Sequence, residues 1–314
     1  MNNFRFAHAQ AQQMLSRILK GQDVLTLIGA KASVYAAFTK LRLSSLVVFS
    51  AVMTYFLAAE NISWVVLFAL TVGGFMITGA SNGMNQLLEK DFDALMDRTR
   101  NRPLPSGQLS VSEGLILSVI LAVIGVFLLY FLVNPLSGLL GSLAVLLYVG
   151  IYTPMKRISS WSVIIGAVPG AIPPMLGAVA ATGSFGLLPG MLFALQFAWQ
   201  LPHFWSIAWK IDEDYKKAGY RMLPIYGEKD SATSWVILAS SVVLVFTGVL
   251  IYEMGFFSII GLTTHVFFSG LMLYYSFLLV GRKSEEAAKG IMFGSFAYLP
   301  LVLIAILLDK IWML

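Results

Sequence analysis

The sequence predicts an all-α polytopic membrane protein with nine transmembrane helices. Three observations carry that expectation. Of the 314 residues, 58% are hydrophobic and only 12% charged, and the mean hydropathy is +0.80, which no soluble domain of this length approaches. A helix needs about 20 mostly apolar residues to cross the hydrocarbon core. Apolar cores of that kind fall near 44–59, 64–84, 114–133, 136–152, 161–179, 187–206, 233–252, 258–280 and 290–308, none holding Lys, Arg, Asp or Glu. Finally, 20 of the 21 Lys and Arg residues lie before the first core or in alternate loops, and only Lys310 falls on the other side. Positive loops stay cytoplasmic, so the N-terminus is expected in the cytoplasm and the C-terminus outside. The net charge of +5 is then a topology signature and predicts no nucleic-acid partner. With no cysteine in the chain, disulfides and thiolate metal or haem sites are excluded.

Residues 1–40 read as an N-terminal cytoplasmic or interfacial segment, and 41–314 as one nine-helix transmembrane domain. Met1 to Lys20 lacks the continuous apolar core of a cleaved secretory signal. It reads as an interfacial helix, with Phe4, Phe6, Met14, Leu15, Ile18 and Leu19 toward lipid and Arg5, Arg17 and Lys20 outward. Its few Ser and two Arg weigh against an organellar transit peptide.

The second core runs out into NQLLEKDFDALMDRTRNRPLPSG at 85–107. Asn85, Glu89, Asp93 and Asp97 recur every four residues, which places them on one helical face. Stacked carboxylates at a membrane edge repel one another unless a hard cation sits against them. Mg²⁺ takes oxygen ligands, held by one or two carboxylates plus substrate phosphates. Arg98, Arg100 and Arg102 follow at once and offer guanidinium forks to phosphate oxygens. The stretch therefore points to a metal-diphosphate site, against the plainer reading of a solvated helix end. Pro103 and Pro105 stop the helix.

After the fourth core, YTPMKR at 152–157 brings Lys156 and Arg157 to the same side; alone they read as topology signals. Gly166, Pro169, Gly170, Pro173, Pro174 and Gly177 interrupt the fifth core. Breakers are tolerated in a span where the freed backbone faces protein or a cavity, so this helix is expected to bend around a ligand chamber. In the sixth, Gln196, Gln200, His203, Lys210 and Asp214 are spaced as one face, and intramembrane polar residues mark function. His265, in contrast, reads as packing. Two acid-bearing helix ends four crossings apart also fit a duplicated four-helix unit with a ninth helix appended.

From about residue 30 to 310 the chain resembles the UbiA-type intramembrane prenyltransferases. The resemblance rests on 85–107, on YTPMKR, on GAVPGAIPPMLG at 166–177, and on LPHFWSIAWKIDEDYKKAGYRMLP at 201–224. The first is similar to the NxxxDxxxD metal motif, with Glu89 in place of the usual Asp. The last, HFW followed by DYxxAGxxMLP, resembles the haem-modifying branch. Lys210 stands where the wider family's second motif has its first acid, and Leu41 where relatives often have Pro.

The resemblance implies helices around a central cavity open to the cytoplasm and to lipid, in the bacterial cytoplasmic membrane. The implied substrates are farnesyl diphosphate and haem b, the cofactor is Mg²⁺, and haem A synthase or terminal-oxidase assembly would be downstream partners. Asn85, Glu89, Asp93 and Asp214 would hold the metal; Arg98, Arg102, Lys156, Arg157 and Lys210 the diphosphate; His203 and Trp205 the haem. Catalysis would fall to Asn85, Glu89, Asp93, Lys156, Arg157 and Asp214. Short of the resemblance, rival readings are a prenyltransferase with an aromatic quinone-precursor acceptor, a transporter, and a non-catalytic haem-assembly protein.

Overall fold

A computed structural model describes Gln12 and residues 24–313. The expected interfacial face of Phe4 to Leu19 lies outside them. The described residues form α1 (Val24–Phe38), α2 (Leu41–Ala58), α3 (Trp64–Leu88), α4 (Val111–Val133), α5 (Pro135–Met155), α6 (Ser162–Thr182), α7 (Leu187–Lys210), α8 (Asp212–Lys217), α9 (Ser231–Glu253), α10 (Ile259–Arg282) and α11 (Glu285–Met313). No strand occurs among them. Eight helices are long and apolar enough to cross a membrane. The ninth expected one, α7, has the length, but Gln196, Gln200 and His203 lower its apolarity, and these are residues it buries.

Short polar side chains start the helices by accepting the backbone N–H groups that the first turn leaves without partners. Ser110 Oγ accepts from Glu113 N, Asn134 Oδ1 from Ser137 N ahead of Pro135, and Asp230 Oδ1 from Thr233 N. At the other end, α6 stops at Gly183, whose φ of +70 is left-handed backbone that glycine adopts without strain.

The helices form a ring in which α2 packs against α3, α6 and α11, and α7 packs against α6, α9 and α11. Lipid-facing positions stay apolar, as at Trp64, Phe131, Phe246 and Phe277. The α2–α6 crossing depends on Gly177: a Cβ there would lie 1.9 Å from Ala51 O, inside the backbone of α2. The expected bend at the fifth core is not a break. The helix runs unbroken from Ser162 to Thr182 through Pro169, Pro173 and Pro174, although those prolines donate no intrahelical N–H. Gln200 Nε2 of α7 donates to Ala167 O, 3.1 Å away, in that stretch.

Two contacts close the ring at the end opposite the charged loops. Asp309 Oδ2 accepts from Ser258 N and Gly261 N at the start of α10. Its neighbour Lys310 donates to Phe56 O and Ala59 O at the end of α2.

Candidate active site

The site grows from the end of α3. Asn85 is buried on the last turn, and Glu89 leaves the helix with φ −101 and ψ 7 before a short turn at Lys90–Asp93. Glu89 N still donates to Asn85 O and Asp93 N to Glu89 O. The four-residue register therefore survives the irregularity, and Asn85, Glu89 and Asp93 stay together, each at most 5% exposed. Asp97 does not follow them. The chain leaves the register after Asp93, and Asp97 is exposed.

Each buried carboxylate meets a cation. Arg102 Nη1 lies 2.9 and 2.7 Å from the two oxygens of Asp93. Lys156 Nζ lies 3.0 Å from Glu89 Oε1 and 3.3 Å from Oε2. Asn85 Nδ2 donates to Thr153 Oγ1, which ties the end of α3 to the end of α5. Burial, opposed by Arg102, raises the Asp93 carboxyl above its ordinary range. Burial pulls the Lys156 ammonium down, but the charge of Glu89 outweighs it, and the net direction is up. Lys156 also lies 4.6 Å above the Tyr152 ring, and Arg157 4.3 Å above Phe92 at the rim.

Two further groups belong here that the sequence did not single out. Lys40, between α1 and α2, has left-handed backbone at φ 50. Burial and the charges of Arg102 and Lys156 push its ammonium down to about 7. It had counted only as one cation among the topology signals. Tyr220 is buried, and burial together with the charges of Glu89 and Asp93 pushes its hydroxyl above the usual phenol range. No spacing in the sequence connects either residue to the acids.

Other expected site residues lie elsewhere. The face expected to run from Gln196 to Asp214 is cut at Ile211, whose φ of −111 and ψ of 22 end α7 and restart the chain as α8. Asp214 consequently points at the neighbouring loop. Its two oxygens accept from Asp97 N (2.8 Å) and Arg98 N (3.2 Å). Burial acts to raise its carboxyl, but these amides and Lys217 outweigh it and hold it down. Lys217 pairs with both Asp97 and Asp214. Arg98 is exposed and lies 5.8 Å above the Tyr215 ring, and Lys210 is exposed at the end of α7. Trp205 packs edge-on to Trp161 in the core between helices and does not line the chamber. Trp199 takes that position, one turn and a half earlier on the same helix.

An apolar chamber of about 320 Å³ abuts the charged cluster. Asn82, Tyr148 and Tyr152 stand where the two meet, and α6 contributes Gly166, Pro169, Gly170 and Pro173. The π-type turn at Leu146–Tyr152 presents both tyrosines. Such widened turns recur at functional sites. His203 and Phe296 also line the chamber.

Comparison with known proteins gives the family. Residues 46–299 match the UbiA prenyltransferase family. The protoheme IX farnesyltransferase of Christiangramia forsetii is 45% identical over 286 residues, covering 88% of this chain and 93% of that protein. The chain belongs to the UbiA prenyltransferase family. The protoheme IX farnesyltransferase of Flavobacterium johnsoniae is 44% identical over 289 residues, with 88% and 94% covered. Among UbiA-fold structures, a digeranylgeranylglyceryl phosphate synthase superimposes with a TM-score of 0.74 at 20% identity, covering 90% of this chain and 99% of that one. A UbiA homolog from Archaeoglobus fulgidus bound to GPP and Mg²⁺ gives 0.62 at 16% identity, with 87% and 99% covered. This member of the UbiA family is thus an integral membrane prenyltransferase.

Proposed function

We propose that this UbiA-family enzyme transfers the farnesyl group of farnesyl diphosphate to a vinyl group of haem b, releasing diphosphate and giving haem O. The observation that supports it most directly is the joint between the charged cluster and the chamber. Asn85, Glu89, Asp93, Lys156, Arg102 and Lys40 gather beside an apolar cavity that His203 also lines. The protoheme IX farnesyltransferases at 44–45% identity supply the substrate pair. An aromatic quinone-precursor acceptor has no comparable support among them.

The donor set suits Mg²⁺. Asn85, Glu89 and Asp93 offer hard oxygens, and the buried Glu89 Oε1, met by Lys156 Nζ at 3.0 Å, has lone-pair capacity for a further cation. No cluster of three His, Cys, Asp or Glu occurs among the described residues. Two carboxylates, one amide and the substrate's own phosphate oxygens make up the set that Mg²⁺ commonly takes. Asp214 is left out of it, because its oxygens hold the Asp97–Arg98 amides. Mg²⁺, when bound, neutralises charge on the diphosphate oxygens.

The chain's own residues then divide the work. Arg102 and Lys156 have their carboxylate partners within reach and can shift toward phosphate oxygens, with Lys40 beside them and Arg157 and Arg98 at the rim. Cations placed where the leaving group gains charge stabilise the transition state for breaking the allylic C–O bond. The electron pair of that bond leaves with the diphosphate. The chamber keeps bulk water from the farnesyl cation until the π electrons of a haem vinyl group form the new C–C bond. Water then adds to the resulting cation and loses a proton, giving the hydroxyethylfarnesyl side chain.

On this reading α7 crosses the membrane as a ninth span, the charged cluster faces the cytoplasm at a bacterial inner membrane, and the C-terminus lies outside. The placement of Lys and Arg in alternate loops supports it. Haem O would pass to a haem A synthase or to terminal-oxidase assembly. The test is incubation of the purified protein with haem b, radiolabelled farnesyl diphosphate and Mg²⁺, with and without EDTA. EDTA-sensitive appearance of label on haem is the expected result. Label that stays off haem but reaches a 4-hydroxybenzoate-type acceptor would reassign the substrate.

A further inference from the structure

The two buried histidines are bonded in different ways. In His265, Nδ1 lies 2.8 Å from Tyr298 Oη and Nε2 3.2 Å from Val245 O. Both ring nitrogens are engaged, and the ring is packed against Gly248, where a Cβ would clash with it. His265 is a packing residue, as the sequence suggested.

His203 is bonded on one side only. Its Nδ1 lies 2.7 Å from Ser295 Oγ on α11. The Ser295 hydroxyl has a single proton, and it donates that proton to Met292 O at 2.6 Å. Toward His203 the hydroxyl can therefore only accept, so Nδ1 must carry the imidazole proton. A neutral imidazole protonated at Nδ1 has its lone pair at Nε2. Among the described residues no hydrogen-bond partner meets Nε2, and the atom is not sealed among buried unpartnered ones. The ring's plane is fixed as well. Trp199 stacks on it with centroids 4.4 Å apart and 17° between planes, and Trp199 Nε1 donates to Ser295 O. Phe204 and Phe296 meet the ring edge to face.

We propose that Ser295 is a positioning residue that fixes His203 as the Nδ1–H tautomer, so that Nε2 gives its lone pair to the iron of the haem substrate. This inference rests on the haem b reading above. Among the residues that line the chamber, His203, Tyr148 and Tyr152 are the ones able to ligate haem iron, and His203 alone offers a neutral nitrogen lone pair. A histidine that binds metal almost always donates its other ring N–H to an oxygen that orients it, which is the relation Ser295 has to His203. The bond formed is a coordinate bond from Nε2 to iron. No electron is transferred and no proton is released, because Nε2 carries none.

The test is titration of the detergent-solubilised full-length protein with ferric haem b, followed by optical and EPR spectra. Farnesyl diphosphate binding is measured alongside. Wild type should show an imidazole-ligated spectrum. His203→Ala should lose it and regain it on addition of imidazole. His203→Met, which keeps most of the ring's volume, should give a changed ligand signature. Ser295→Ala should weaken haem binding by about tenfold, the lower end for loss of a ligand-orienting partner. It should also alter the spectrum without changing farnesyl diphosphate affinity, and Ser295→Thr should restore both. Identical spectra in wild type and both His203 variants would overturn the iron bond. Unchanged affinity and spectrum in Ser295→Ala would overturn the positioning role. Wild type that binds no haem b would remove the haem reading and this inference together, whereas haem farnesylation with a His203-independent spectrum would remove this inference alone.

Discussion

The ends of α3 and α7 carry similar sequence and end in opposite states. Both helices run from intramembrane amides into acids and cations on the same side of the bundle, with polar residues four apart. After α3, Glu89 departs from helical geometry but keeps its backbone bonds to Asn85 and from Asp93, and the acids stay buried with Arg102 and Lys156. After α7, Ile211 turns the chain, so Lys210 faces out and Asp214 reaches sideways to the Asp97 and Arg98 amides. Similar stripes thus produced a buried site in one place and a strut that braces its loop in the other. Both irregular residues keep their i to i+4 backbone bonds, Ile211 N to Ile207 O and Tyr215 N to Ile211 O as well as those of Glu89. What separates the two ends is the partners their side chains meet: buried cations after α3, and exposed backbone amides after α7.

Four experiments press on that contrast, beginning with the largest expected effect. Asp93→Ala should reduce farnesyl transfer by about 10²–10³-fold, the scale of losing an electrostatic contact made in the transition state. Asp93→Asn keeps an acceptor for Arg102 and should report the same loss with a smaller drop in thermal stability. Near-wild-type turnover in both would end the assignment of the α3 site.

Lys156→Ala comes next. It leaves Glu89 buried without its ammonium, so turnover should fall by about 10–100-fold, with the KM for farnesyl diphosphate rising. A change confined to the haem KM would place Lys156 outside the diphosphate site.

Lys40 supplies a pH test. Its ammonium titrates at about 7, below the ordinary 10.5, so the cation is present below pH 7 and lost above it. Affinity for farnesyl diphosphate should therefore decline as pH rises from 6.5 to about 8.5. Lys40→Met should bind less tightly at the low end and flatten the profile. An unflattened profile would assign the titration to another group.

The smallest effect is expected for Asp214→Ala. Freed amides at Asp97 and Arg98 should loosen the loop and cost a few-fold in rate, with Mg²⁺ half-saturation unchanged. A tenfold rise in that half-saturation would make Asp214 a metal ligand and erase the contrast between the two helix ends.

The sequence made the helical architecture legible because apolar runs and cation placement are local signals. The α3 cluster was legible for the same reason, since Asn85, Glu89 and Asp93 lie within nine consecutive residues. Three things were not. The turn at Ile211 leaves no mark in an apolar residue's identity, so the α7 stripe was drawn too far and swept in Lys210 and Asp214. Trp199 and Trp205 are alike in sequence, and only the rotation of α7 decides which one faces the chamber. Lys40 and Tyr220 reach the acids from distant segments through tertiary packing, with no spacing to reveal them. The proline-rich α6 stays helical throughout and lines the chamber.

The fastening of the last helix has a mechanical consequence. Lys310 on α11 holds both Phe56 O and Ala59 O of α2, and Asp309 beside it holds α10. Farther along the same seam the two helices offer the chamber mostly apolar side chains such as Leu43, Leu46, Leu299 and Pro300, and among the described residues no hydrogen bond joins them there. One end is riveted and the rest is greased. The polar fastening of α2 to α11 thus sits at one end of the seam, away from the charged cluster.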